Sequence, residues 1–365
     1  MGFSEFLGNE RIVTSLRGML AAERVPSAML FLGARGVGRY TLARMFAQAS
    51  NCERMRNDFC GECDTCRRIA LLADTAPLIE QGLTERGESP DSATVERVPL
   101  ILQTHPDVWA VVPDPVRLKT QVARPVIHIG QLRAIQRAAQ FRPHARRRVF
   151  ILDGAETMRW DLASVFLKIL EEPPETSTLI LLAPSPYQLL PTIVSRCLQF
   201  YFAPAQPEEM ESILRARTKL TPAQRKLAAE LADGSPGAAL AMDVEKANDV
   251  RRQALKLLDL AAGGKPSALF AHTNQLTKQQ AVPFDALLEA GYSLLADLLE
   301  LANRANAPEL RNPSMKKELE ALSARADSDW VARAVRGLDI ISSRQRRNVN
   351  RQLALDSLSL SLARS

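Results

Sequence analysis

Two groups of residues in this 365-residue chain have the types and spacing for chemistry. The first is cysteine. The run Cys52-x7-Cys60-x2-Cys63-x2-Cys66 places four of the chain's five cysteines inside fifteen residues. Zinc takes four thiolates tetrahedrally, and short C-x-x-C turns bring two sulfurs to one metal. A structural Zn²⁺ held by Cys52, Cys60, Cys63 and Cys66 is therefore expected, with a redox pair or unligated thiols as the alternatives. A closed four-sulfur site leaves no coordination position for substrate, so it argues for stability and not catalysis.

The second group is Gly33-Ala34-Arg35-Gly36-Val37-Gly38-Arg39-Tyr40-Thr41, led in by the apolar run 28–32 and led out by a helical pattern from Leu42. A glycine turn between a strand and a helix is where backbone N–H groups cradle phosphates, in the working form G-x-x-x-x-G-K-[ST]. Gly33 and Gly38 have the right separation. Arg39 stands for the lysine, however, and Tyr40 for the hydroxyl residue that binds Mg²⁺. Arginine keeps the charge but is a wide planar fork, not a compact ammonium. A plain glycine turn is the competing reading.

Downstream, Val149-Phe150-Ile151-Leu152-Asp153 reads as a buried strand ending in a carboxylate. In phosphate-loop ATPases such an Asp helps to hold Mg²⁺, and a carboxylate beside it serves the attacking water. Here the next residue is Gly154, and Glu156 is two positions too far along to assume that role. The expectation is a site descended from a nucleotide cradle that no longer hydrolyses ATP. Three further features have two readings each. His105 is a metal ligand or a turn residue, the turn being favoured because cysteines already fill a site. The basic loop Arg142-Pro143-His144-Ala145-Arg146-Arg147-Arg148 is a solvated turn or a contact to DNA phosphate. Arg196, in Ser195-Arg196-Cys197, is a surface ion-pair residue or a cation offered to a partner, while Cys197 reads as a small buried residue.

The elements that must position these residues follow from periodicity. Residues 9–23, 129–140 and 161–172 carry apolar residues at helical spacing, and Pro173-Pro174 ends the last of them. Strands are expected at 28–32, 108–112, 149–153, 178–182 and 198–202, giving a parallel five-stranded sheet in an α/β domain over 1–204. Residues 72–104 read as a polar, turn-rich mobile insertion after the cysteine module at 52–66. Beyond Pro204 the pattern is helical. Thr221-Pro222-Ala223-Gln224 has capping-box spacing with Pro at the first helical position. A small helical domain is expected over 205–245 and a further all-helical domain over 246–365.

Apolar content of 46% and charged content of 24% exclude a disordered or membrane-embedded chain, and the length provides for two or three domains. The start Met1-Gly2-Phe3-Ser4-Glu5 lacks the basic and apolar regions of a signal peptide, and no stretch reaches roughly 18 uninterrupted apolar residues. A cytoplasmic location, where disulfides are disfavoured, is expected. The net charge of +6 fits an acidic partner only weakly.

The order of these stretches resembles the clamp-loader branch of the AAA+ ATPases, and within it the delta prime-type subunits of bacterial DNA polymerase III. The resemblance is carried by the four-cysteine module, His105-Pro106-Asp107, Phe166-Leu167-Lys168-Ile169-Leu170-Glu171-Glu172-Pro173-Pro174 and Ser195-Arg196-Cys197. The glycine segment 234–237 and the terminal Asn348-Val349-Asn350-Arg351-Gln352-Leu353-Ala354-Leu355 support it. It implies a zinc-bearing AAA+ domain, a helical lid and a collar that closes a five-subunit ring. The implied partners are gamma/tau-type ATPase subunits, a delta subunit, and, through the complex, the sliding clamp and primer-template DNA.

The resemblance also gives roles to residues. Gly33, Gly36, Gly38, Arg39, Tyr40, Thr41 and Asp153 would form a degenerate nucleotide site, and Arg196 would project into a neighbour's ATP site. The lid arginine expected near the Gly-Ser segment is replaced by Gly237 or Ala238, and Pro184-Ser185 stands where a polar sensor belongs. Two other functions compete: a motor-type clamp-loader ATPase with an atypical loop, and a stand-alone zinc-containing DNA-binding protein.

Overall fold

The computed structural model describes residues 2–87, 90–115, 125–158, 162–264, 266–278, 283–303, 310–344 and 350–363. Asn348 and Val349 of the terminal run lie outside the described residues, as does residue 161 at the start of an expected helix. The chain divides into two compact units, Met1–Ile213 with Ser235–Gly237, and Leu214–Gly234 with Ala238–Ser365.

The first unit begins with α1 (Glu10–Ala21), β1 (Ala28–Leu32), α2 (Arg39–Asn51) and α3 (Asp64–Ala70). It continues through α4 (Ala76–Arg86), α5 (Ser92–Arg97), β2 (Leu102–His105), β3 (Val108–Val111) and α6 (Ile129–Ala139). Next come β4 (Arg148–Asp153), α7 (Ala163–Glu171), β5 (Ser177–Ala183), α8 (Pro191–Val194), β6 (Leu198–Tyr201) and α9 (Pro207–Arg217). The six strands lie in the order β2-β3-β4-β5-β1-β6. Every pairing is parallel except β2 against β3. In β1 and β5 every residue is buried, as central strands covered on both faces require.

Alternate strand residues feed two cores. Met29, Phe31, Val149, Ile151 and Ile180 pack on one face with α1, α2 and the cysteine module. Leu30, Phe150, Leu152, Leu179 and Leu181 pack on the other with α6 and α7.

Among the described residues the sheet thus has six strands, where five were expected. The additional one, β2, is an antiparallel edge strand inside the segment read as a turn-rich insertion. Leu102-Gln103-Thr104-His105 is too short and too mixed to show as an apolar run, and its register shifts between Gln103 and His105. The same segment also holds α4 and α5. It is tied down by Arg86, whose fully buried guanidinium pairs with Asp114 at 2.6 Å while its Nε donates to the Val98 carbonyl.

The second unit is helical: α10 (Pro222–Leu231), α11 (Pro236–Ala241), α12 (Val244–Ala262), α13 (Pro266–Lys278), α14 (Phe284–Ala302), α15 (Lys316–Ser323), α16 (Ser328–Arg344) and α17 (Arg351–Ala363). The predicted capping box starts α10, with Gln224 N–H donating to the Thr221 hydroxyl and Thr221 N–H to the Gln224 amide oxygen. Leu257, Leu287, Leu294, Trp330 and Leu355 centre its core. A buried polar chain runs through it: Glu230 pairs with Arg251, Arg251 donates to Asn312 at 3.1 Å, and Asn312 donates to Asp297. Among the described residues no helix is long and apolar enough to cross a membrane.

Candidate functional site

The glycine loop follows β1 because its backbone turns where only glycine is unstrained. Gly33, Gly36 and Gly38 have φ of 149°, 85° and 98°. A Cβ on Gly33 would lie 2.8 Å from the Phe202 carbonyl, and one on Gly38 would lie 2.9 Å from the Phe6 ring. Gly38 is the N-cap of α2, and Leu42 N–H returns to its carbonyl at 2.9 Å. The outer rim of the loop is already engaged. Arg35 O accepts from the Ser235 hydroxyl and Gly36 O accepts from Gly237 N–H, both at 2.8 Å.

Arg39 is only 8% exposed. Burial lowers its pKa, while the charges of Asp153 and Glu156 favour its cationic form. Its Nη1 is buried without a hydrogen-bond partner. Asp153, at the end of β4, has its pKa raised by burial against the opposing pull of Arg39 and Arg35. Glu156 is likewise raised by burial, with Asp153 adding to the effect. Gly154 has φ 72°, and a Cβ there would come 2.7 Å from Pro113. A carboxylate-bearing residue next to Asp153 would therefore be strained by its backbone conformation and crowded against Pro113. Tyr40 turns away from the loop and donates its hydroxyl to the Leu72 carbonyl at 2.9 Å. Thr41, beside it in the first turn of α2, is half-buried.

The four cysteines converge. The sulfurs of Cys52, Cys60, Cys63 and Cys66 all lie within 4.8 Å of one another. Tetrahedral zinc with bonds of about 2.3 Å places its sulfurs about 3.8 Å apart, inside that limit. Backbone N–H groups point at them: Cys60 N–H at Cys52 Sγ (3.4 Å), Cys63 N–H at Cys60 Sγ (3.3 Å) and Cys66 N–H at Cys63 Sγ (3.4 Å). Such donors favour thiolate, and the N–H groups of Cys63 and Glu62 draw the Cys60 thiol down to about 6. Burial pushes the Cys66 thiol up. The donor set fits a structural zinc ion. His105 stays out of the cluster, its Nδ1 accepting Asp107 N–H at 3.1 Å and its Nε2 lying 3.5 Å from the Thr65 hydroxyl.

Three of the basic loop's arginines, Arg146, Arg147 and Arg148, are engaged by the protein, while Arg142 and His144 are exposed. Arg146 Nη2 donates to the carbonyls of Cys52 and Met55, the latter at 2.8 Å. Arg147 Nη1 donates to Glu175 O, Ser177 O and Thr178 Oγ1 at 3.1–3.4 Å. Arg148, buried, pairs with Asp107 at 3.0 Å and donates to the carbonyls of Ala138 and Arg142. The Asp107 carboxylate also accepts His144 N–H at 3.0 Å and Ala145 N–H at 2.6 Å. A run of arginines carries no mark of where its acceptors lie, so this inward-facing role escaped the sequence. Asp107 and Asn51 escaped it too, although an Asp closing His105-Pro106-Asp107 was the available signal.

Arg196 lies at the end of α8. Its Nη2 pairs with Glu171 at 2.8 Å and its Nη1 donates to Thr192 O at 3.0 Å, with both charged side chains partly exposed. Burial pushes the neighbouring Cys197 thiol up to about 12, which makes it a poor nucleophile.

Residues 8–206 match the family model described as DNA polymerase III, delta subunit. Over 247 residues the chain is 28% identical to DNA polymerase III subunit tau of Escherichia coli K12, covering 66% of this chain and 32% of that protein. Over 261 residues it is 24% identical to DNA polymerase III subunit delta' of Bacillus subtilis 168, covering 71% of this chain and 67% of that protein. It spans a third to a half of the Escherichia coli and Salmonella typhimurium tau subunits. A gamma subunit-related protein of Thermotoga maritima aligns over 96% of this chain and 98% of its own, at 16% identity and a TM-score of 0.46. With more than half its length matched by the model, the chain belongs to the DNA polymerase III delta subunit family.

Proposed function

We propose that this chain is a non-hydrolysing subunit of a bacterial replicative clamp loader, acting in the cytoplasm. It completes a ring with gamma/tau-type ATPase subunits and a delta subunit, and through the complex serves the sliding clamp and primer-template DNA. Residues 1–204 act as the AAA+ domain, 205–245 as the lid and 246–365 as the collar. Arg196 serves as a finger supplied in trans to a neighbour's nucleotide, and the four cysteines hold a structural zinc.

One observation carries the reading. At the glycine loop the cation is a buried arginine, the adjoining side chain is turned toward Leu72, and the position after Asp153 is a left-handed glycine against Pro113. Phosphoryl transfer to water needs a bound Mg²⁺ and an oriented nucleophile. Neither the usual lysine and hydroxyl nor the adjacent carboxylate is there to provide them.

A gamma/tau-type motor is the second reading, favoured by the 28% identity to a tau subunit against 24% to a delta' subunit. Mixing the purified chain with candidate ring subunits, then measuring assembly mass and ATP turnover with and without it, separates the two. The scaffold reading expects assembly without turnover by the chain alone. Turnover by the isolated chain favours the motor, and failure to assemble removes both readings. The basic loop gives little support to a stand-alone DNA-binding protein, since Arg146, Arg147 and Arg148 all donate to protein acceptors.

A further inference from the structure

Three of the four sulfurs belong to one compact run, Cys60-x2-Cys63-x2-Cys66, but Cys52 stands apart at the C-cap of α2. A ligand so placed must be oriented by something outside that run. Arg146, 94 residues further along the chain, bonds the carbonyl of Cys52 itself and that of Met55 through the same nitrogen. The backbone beside it is held by the residue that precedes the cysteine. Asn51 Oδ1 accepts the N–H of Arg146 at 3.1 Å and of Arg147 at 2.8 Å, while Asn51 Nδ2 donates to Ala47 O at 3.2 Å, which settles the amide's orientation. The other end of the loop is anchored on Asp107, between β2 and β3. Cys52 is therefore referenced to the sheet through the loop 144–148.

We infer that Arg146, braced by Asn51, is a positioning residue for the metal site, setting the Cys52 carbonyl and hence its sulfur in the geometry zinc requires. The inference rests on the zinc reading above. It gives the basic loop a function that neither solvation nor DNA contact supplies. Groups behind the ligands commonly change metal affinity by about 10–100-fold when removed.

The test compares Arg146→Ala with Arg147→Ala in the full chain. The Arg147 side chain makes three bonds, all to the segment 175–178 and none to the cysteine module, and its backbone bond to Asn51 survives the substitution. Zinc affinity is read by competition with a chromophoric chelator. Geometry is read from the visible absorption of Co²⁺ in place of zinc, and folding by circular dichroism. Arg146→Ala should bind zinc about 10–100-fold more weakly with altered Co²⁺ bands, while Arg147→Ala stays within about twofold of the parent whatever its loss of thermal stability.

Should Arg146→Ala not fold, Arg146→Lys carries the comparison. A lysine has no rigid fork, so an intermediate loss is expected. Unchanged affinity and unchanged Co²⁺ bands in the folded Arg146 variant overturn the inference, as does an equal loss in Arg147→Ala. A parent protein that binds no zinc removes the zinc reading and the inference with it. Zinc bound by the parent but indifferent to Arg146 removes the inference alone.

Discussion

The hydroxyl of Tyr40 donates to the carbonyl of Leu72 at 2.9 Å, joining the first turn of α2 to the segment that follows the cysteine module. In a working phosphate loop, the residue after the lysine offers its hydroxyl to Mg²⁺. Here the side chain at that position is longer, points elsewhere, and stabilises the fold. Further along α2, Gln48 donates to the Cys66 carbonyl at 2.9 Å and Asn51 accepts from the basic loop. One helix thus carries the glycine loop at its start and braces the module along its length. Removing the hydroxyl with Tyr40→Phe should leave the ring packed and cost about 0.5–1.5 kcal/mol, the net worth of one such bond. Urea unfolding at constant slope measures it, and an unchanged midpoint refutes the bracing role.

Zinc should be present at one ion per chain. Replacing Cys63 by Ser should release it and unfold residues 52–72 locally, because metal binding and folding of such modules are one equilibrium. Metal analysis together with hydrogen exchange over this segment checks both statements. Full zinc content in the variant contradicts the four-cysteine assignment.

Asp107 makes stability pH-dependent in a definite direction. Burial alone would raise its pKa, but the N–H groups of Ala145 and His144 and the Arg148 guanidinium outweigh burial and hold it below the ordinary carboxylate value. A depressed folded-state pKa contributes stability that is present above the unfolded value, about 4, and is lost as pH falls through the folded one. Asp107→Asn should cost on the order of 3 kcal/mol at pH 7, since it leaves Arg148 buried without its partner. Denaturant midpoints of parent and variant between pH 7 and 3 should converge toward the acid end. A constant gap would mean that Asp107 is not the titrating group.

Much of this was legible because it is periodic or tightly spaced. The cysteine run, the glycine loop and the buried strands announce themselves through residue types that few other structures require. The α4–α5–β2 segment did not. Its helices are short and polar, and its anchor is a buried ion pair between Arg86 and Asp114, residues 28 apart that leave no pattern. The arginines at 146–148 failed for a related reason. Guanidinium donors satisfied by backbone carbonyls depend on where distant chain passes, and no periodicity records that. Tyr40 showed what the loop lacks, but not what the tyrosine does instead.

The chain alone should not hydrolyse ATP, and restoring single residues should not rescue it. Arg39→Lys leaves no carboxylate beside Asp153. Gly154→Glu puts a side chain at φ 72° into Pro113, so it should destabilise the domain by about 1–3 kcal/mol instead of activating water. Steady-state assays of the parent and both variants test this. Turnover near about 1 s⁻¹, the lower range of ordinary enzymes, in any contaminant-free preparation contradicts it.

Under the proposed function, Arg196 would be the residue through which the chain acts on a neighbour. Its guanidinium is partly exposed and held by Glu171 and the Thr192 carbonyl. An exposed pair of this kind is worth little to stability, a median of about 0–1 kcal/mol, so the variant should fold and bind zinc as the parent does. Its value would lie elsewhere. A guanidinium offers two parallel N–H donors to phosphate oxygens, a geometry that lysine cannot reproduce. Fingers supplied in trans contribute about 10³–10⁵ in rate in well-characterised phosphate-loop systems, though other sites in a ring would dilute the loss. Arg196→Ala in this subunit alone should leave ring assembly intact and lower DNA- and clamp-stimulated turnover, with Arg196→Lys recovering only part. Glu171→Gln tests the aim: if the pair orients the finger, turnover falls without loss of assembly, whereas a rise means that Glu171 holds the arm back. Unchanged turnover and clamp loading by the Arg196→Ala ring would leave Arg196 a surface ion-pair residue and nothing more.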